Sequence, residues 1–130
     1  MLVKHRGECP ELNANDGTRL RELLHPANDS VDLPYSIAFA ELAPGEASLN
    51  HRLAFTEVYH IISGGGCMHV GAQTQVVVAG DVVLVPADTA QWLENPGTTT
   101  LAFAVIVSPP WRAEGDQLME VSAENPTATP

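Results

Sequence analysis

Residues Thr56-Glu57-Val58-Tyr59-His60-Ile61-Ile62-Ser63 are followed by Gly64-Gly65-Gly66, then Cys67-Met68-His69-Val70, then Gly71-Ala72 and Thr74-Gln75-Val76-Val77-Val78. Short runs rich in Val, Ile and Tyr alternate here with glycine-containing breaks. β-Branched and aromatic side chains suit a pleated, half-buried surface, and runs this short between turn residues read as strands rather than helices. Gly64-Gly65-Gly66 reads as a hairpin turn. The same grammar continues outward through runs at 35–42, 47–53, 82–85, 91–94 and 100–108, broken at Pro44-Gly45, Gly80-Asp81, Pro86 and Pro96-Gly97. Such a series predicts an all-β fold, a double-sheet jelly-roll barrel, over about residues 34–112.

On either side the pattern changes. Residues 1–33 are polar and loop-rich, and the spacing of Leu20, Leu23 and Leu24 between Thr18 and Pro26 predicts one short helix at 18–25, capped by Thr18 and placed over a barrel end. His25, at the expected end of that helix, reads as a capping group. Residues 113–130 form a C-terminal segment whose end, Asn125-Pro126-Thr127-Ala128-Thr129-Pro130, is expected to fray. Trp111-Arg112, after Pro109-Pro110, is placed to clamp that segment over a sheet.

Composition restricts the partners. The chain has 130 residues, 45% of them hydrophobic, enough for one domain with one core. Six Lys plus Arg against 16 Asp plus Glu give a formal charge of −10, which repels nucleic acid and anionic lipid surfaces. The longest apolar runs fall well short of the roughly 20 residues that span a bilayer. Two cysteines, Cys9 and Cys67, make no disulfide framework, and no signal segment opens the chain, so a soluble cytoplasmic protein is expected.

Two spaced patterns carry the chemistry: Gly45-x5-His51-x-Leu53-x3-Glu57-x6-Gly64 and Gly80-x5-Pro86-x-Asp88-x2-Gln91-x3-Asn95. Together they resemble the two-part signature of the cupins, over about residues 35–108. Members of that family commonly hold a Mn, Fe, Ni, Zn or Cu ion inside the barrel through three His and one Glu. The resemblance implies His51 and Glu57 as ligands, with Leu53 in place of the second His and Gln91 in place of the third. Strand alternation independently gives His51 and Leu53 one face, Glu57, Tyr59 and Ile61 another, and Gln91 and Leu93 a third.

His51, Glu57 and Gln91 are therefore the candidate metal ligands. Imidazole, carboxylate and amide oxygen together accept Mn, Fe, Ni or Zn, held weakly or absent because a neutral amide is a poorer donor than imidazole. Glu57 and Tyr59 are the candidate catalytic residues. In a metal-free barrel, Glu57 in an apolar pocket becomes a proton shuttle. The functional expectation is a small-molecule ligand bound in the cavity, with oxygenase, isomerase or lyase chemistry. The alternative is a metal-free binding or sensing barrel.

The remaining candidates read as structural. His60 and His69 lie out of phase with the inward residues, so they form an outer surface rather than a metal site, and His5 lies in a terminus. Cys67 reads as a small buried hydrophobe. Trp92, also out of phase, faces away from the cavity. With Ile62 and the outer side of 101–107 it would supply apolar area for a homodimer.

Overall fold

A computed structural model describes residues 1–119, so the expected fraying at the end of the chain lies outside the described residues. The strands are β1 (Glu11–Asn13), β2 (Arg19–Leu24), β3 (Ser36–Leu42), β4 (His51–Leu53), β5 (Thr56–Ser63), β6 (Gly65–Val70), β7 (Gln73–Val78), β8 (Val82–Val85), β9 (Ala90–Glu94), β10 (Leu101–Ser108) and β11 (Asp116–Leu118), with one α-helical turn, α1 (Pro26–Asp29). They form a six-stranded sheet in the order β1-β2-β3-β10-β5-β8 and a five-stranded sheet in the order β11-β4-β9-β6-β7. Every pairing is antiparallel, the β-sandwich arrangement of a jelly roll. Among the described residues no helix is long and apolar enough to cross a membrane.

Alternation along each strand fills the space between the sheets. Leu42, Ile61, Leu93 and Leu101 are at most 2% exposed and pack with Tyr59, Met68, Val85 and Phe103 in the principal core. Full burial of each such side chain contributes about 1.5–3 kcal/mol. A smaller cluster of Leu53, Phe55 and Val107, with Trp111 against it, lies apart from the principal core. Hydrophobicity is not confined to the interior, because Val76 and Val78 on β7 and Val82 and Leu84 on β8 are exposed.

Four readings of the sequence are corrected. The helix expected at 18–25 is a strand: β2 pairs with β1 on one side and β3 on the other. A segment that short gains little from helical hydrogen bonds, whereas the open edge of β3 satisfies its backbone along the whole length. Thr18 caps nothing helical; its N–H and hydroxyl both donate to Asp16 Oδ1. His25 stands at the start of a helix rather than its end, as the N-cap of α1, where its Nδ1 accepts from the Ala27 N–H.

Gly64-Gly65-Gly66 is not a hairpin, because β5 and β6 belong to different sheets. Gly64, with φ of +76°, turns the chain from one sheet to the other. A Cβ on it would stand 2.6 Å from the Thr100 carbonyl oxygen. The hairpin lies one strand later, at Gly71-Ala72 between β6 and β7.

Gly66 yields a direct test of this packing. A Cβ on it would meet the Glu94 carbonyl oxygen at 2.6 Å and Leu101 Cδ2 at 2.8 Å. Backbone cannot rotate away as a side chain can, so Gly66→Ala is expected to cost about 1–3 kcal/mol, read as a lower urea midpoint with an unchanged slope. An unchanged midpoint would show that β6 does not lie this close to β9.

Candidate functional site

His51 and Gln91 are cross-strand partners on β4 and β9, and Glu57 and Tyr59 stand two residues apart on β5 of the opposite sheet. All four are buried, at 3%, 1%, 6% and 3% exposure, which places imidazole, amide, carboxylate and phenol between the sheets rather than on a solvated face. The strand phases read from the sequence hold for each.

They do not share one position. His51 and Glu57 line a cavity of about 270 Å³, together with Leu53. Gln91 and Tyr59 are not among its lining residues. The Tyr59 hydroxyl donates to Gln91 Oε1, and its ring stacks on Phe103 with centroids 5.5 Å apart. The phenol is therefore bonded to the amide instead of being presented to the open cavity.

Three further lining carboxylates, Asp16, Glu22 and Asp116, went unassigned in the sequence. Asp16, in the turn between β1 and β2, has Oδ1 fixed by Thr18 and Oδ2 3.6 Å from His51 Nε2. Asp116, at the start of β11, accepts at Oδ2 from the Trp111 indole N–H at 3.0 Å. The signal available for Asp16 was the Asp16-Gly17-Thr18 turn, but nothing local tied it to His51, a residue far along the chain. Trp111 packs beside Leu53 and its carbonyl meets His25 Nε2 at 2.7 Å, so it ties the C-terminal segment to the cavity wall.

The lining is strongly unbalanced in charge. It holds the carboxylates of Asp16, Glu22, Glu57 and Asp116, one imidazole, and no Lys or Arg. Among the described residues, the buried side-chain polar atoms without a hydrogen-bond partner are Asn50 Oδ1 and Glu57 Oε1. An unpartnered buried carboxylate oxygen is costly unless a proton, a ligand donor or a cation meets it. Burial pushes the Glu57 carboxyl up to about 7; His51 and the Gln91 amide pull it down, and Asp16 adds to the upward push.

His51 is held in one orientation. Its Nδ1 lies 2.8 Å from the Leu49 carbonyl oxygen, so Nδ1 carries the proton and donates, leaving Nε2 free toward the cavity when the ring is neutral. Burial opposes the imidazolium, but the Asp16 and Glu57 carboxylates outweigh burial and move the His51 pKa upward. The His51 Nε2 and the Glu57 carboxylate, which line the same cavity, are donors of the kinds that suit a hard or borderline divalent ion.

The cupin domain family model matches residues 38–107, the stretch that supplies His51, Glu57 and Gln91. The chain belongs to the cupin family. This cupin is 32% identical over 100 residues to acireductone dioxygenase 1 of Nocardia farcinica, the match covering 72% of the chain and 51% of that relative. It therefore spans about half of the dioxygenase's length. It is 36% identical over 100 residues to an uncharacterized protein of Streptomyces coelicolor, covering 77% of the chain and 88% of that protein. Among solved structures it resembles the polyketide cyclase RemF from Streptomyces resistomycificus, with a TM-score of 0.79 at 15% identity over 99% of this chain and 96% of that one. At that identity the likeness is one of fold.

Proposed function

We propose that this cupin holds a divalent first-row metal ion through His51 Nε2, the Glu57 carboxylate and the Gln91 amide oxygen, and binds a small molecule beside it. The observation that carries the reading is the unpartnered Oε1 of buried Glu57 in a cavity with four lining carboxylates and no basic side chain. Such a cavity is built for positive charge, and it disfavours an anionic ligand unless a cation is present first. When bound, the ion supplies a Lewis acid that polarises an oxygen of the small ligand. The reaction class we put first is dioxygenation, supported by the similarity to acireductone dioxygenase; isomerase and lyase chemistry share the same site.

The chain's own groups have separate tasks in this reading. Leu49 keeps the His51 proton on Nδ1. Tyr59 orients the Gln91 amide by donating to its oxygen, which has a second lone pair for an ion. Leu53 occupies the place of a missing imidazole and walls the cavity with hydrocarbon. Asp16, held by Thr18 with its Oδ2 3.6 Å from His51 Nε2, is a second carboxylate beside the imidazole for proton transfer.

The metal-free binding module is the second reading, favoured by two facts. Tyr59 already occupies one lone pair of Gln91 Oε1, and a carboxyl pushed up to about 7 can satisfy Glu57 with its own proton. Leu53→His separates the readings. Leu53 shares the face of His51 and lines the same cavity, so a new imidazole there adds a stronger donor. Equilibrium dialysis of metal-stripped protein should give Mn(II) binding about 10-fold tighter or better in Leu53→His, the step that one added ligand interaction of roughly 1.4 kcal/mol produces. Absence of Mn(II) binding in both proteins would favour the metal-free module.

A further inference from the structure

We propose that Cys67, His69 and Glu94 form a second metal site, for a borderline divalent ion such as Zn²⁺, on the outer face of the five-stranded sheet. This site is independent of the cavity. Among the described residues these three form the one group of three or more His, Cys, Asp or Glu side chains whose ligating atoms all lie within 4.8 Å of one another. The register explains why they meet. Cys67 and His69 are two apart on β6 and share a face, and Glu94 on β9 is the direct cross-strand partner of Cys67.

The support around the cluster is that of a ligand site. Trp92, the cross-strand partner of His69, is 6% exposed, and the two rings stack in parallel with centroids 3.6 Å apart, so the imidazole cannot swing freely. Its Nε2 lies 3.0 Å from Glu94 Oε1, and its Nδ1 lies 3.0 Å from Thr74 Oγ1 on β7. A hydroxyl can donate or accept. Without an ion, Thr74 donates to Nδ1 and Nε2–H donates to Glu94. With an ion, the ring proton moves to Nδ1, Thr74 accepts it, and Nε2 becomes a lone-pair donor.

Thiolate sulfur, imidazole nitrogen and carboxylate oxygen suit Zn²⁺ in tetrahedral coordination, with the fourth position left for water. Thiolate distinguishes this site from the cavity, where nitrogen and oxygen donors alone are present. Binding releases the Cys67 proton and cross-links β6 to β9. The same stack keeps Trp92 from offering the open apolar area expected of it.

Co(II) is the probe, because a cobalt–thiolate bond gives a ligand-to-metal charge-transfer band that a nitrogen–oxygen site lacks. The band is expected in the wild-type protein, in Cys9→Ala and in Glu57→Gln, and Zn²⁺ should bleach it by competition. Cys67→Ala should abolish it, and Glu94→Gln, which keeps the volume of the side chain, should weaken Co(II) binding at least about 10-fold. In a Trp111→Phe background, Co(II) should also quench the fluorescence of Trp92 in step with the band. A wild-type protein without the band at millimolar Co(II), or a band that survives Cys67→Ala, would overturn the proposal.

Discussion

Glu57→Gln is expected to weaken divalent-metal binding in the cavity at least about 100-fold. Loss of a group that merely orients a ligand typically costs 10–100-fold, and Glu57 is the one anionic donor of the proposed set, so its loss falls at or beyond the upper end of that range. The substitution keeps the shape of a side chain that is 6% exposed, so packing is preserved while charge is removed. Mn(II) dialysis reads the effect directly. A variant that retained wild-type affinity would mean that Glu57 does not hold the ion.

The second large effect is a dependence of stability on pH that changes sign with metal. In metal-stripped protein the folded-state pKa of Glu57 is raised from 4.5 to about 7, so between these values the folded chain keeps a proton that the unfolded chain has lost. Stability contributed by that protonated carboxyl is fully present below about 4.5 and is lost as pH rises through about 7. His51, also raised, acts in the same direction: its contribution is present below 6.5 and declines as pH rises through its folded pKa. The Glu57 displacement corresponds to roughly 3 kcal/mol. Relative to Glu57→Gln, metal-stripped wild type should therefore lose about that much between pH 4.5 and pH 7. With saturating Mn(II) the trend reverses, because coordination needs the carboxylate and gains as the proton leaves. Chemical denaturation at several pH values, with and without Mn(II), measures both slopes.

Much of the inner site was legible because a strand's period of two depends only on neighbours in sequence. Alternation was enough to put Glu57, Tyr59 and Ile61 on one face and His51 with Leu53 on another, and the resemblance to the cupins implied that those faces point inward. The mouth was not legible. Asp16 reaches His51 only because residues 19–24 extend along β3, and Asp116 arrives only because β11 pairs with β4, pairings between segments far apart in the chain. The leucines at 20, 23 and 24 fit a helical stripe as well as a strand, and a free sheet edge decided between them. The outer cluster needed more than phase. Cys67 meets Glu94 through the register of β6 against β9, which alternation within either strand does not specify.

The most direct test of the metal-binding account is the stoichiometry of Mn(II) bound to freshly stripped protein, followed by electron paramagnetic resonance of the free ion during titration. Mn(II) prefers oxygen and nitrogen donors, so it reports the cavity rather than the thiolate cluster on the outer face. The account predicts one ion per chain in the wild type and in Cys67→Ala, with that binding lost in Glu57→Gln and His51→Ala. Wild-type protein that leaves all the Mn(II) free, or binding that is unchanged in both cavity variants, would contradict it.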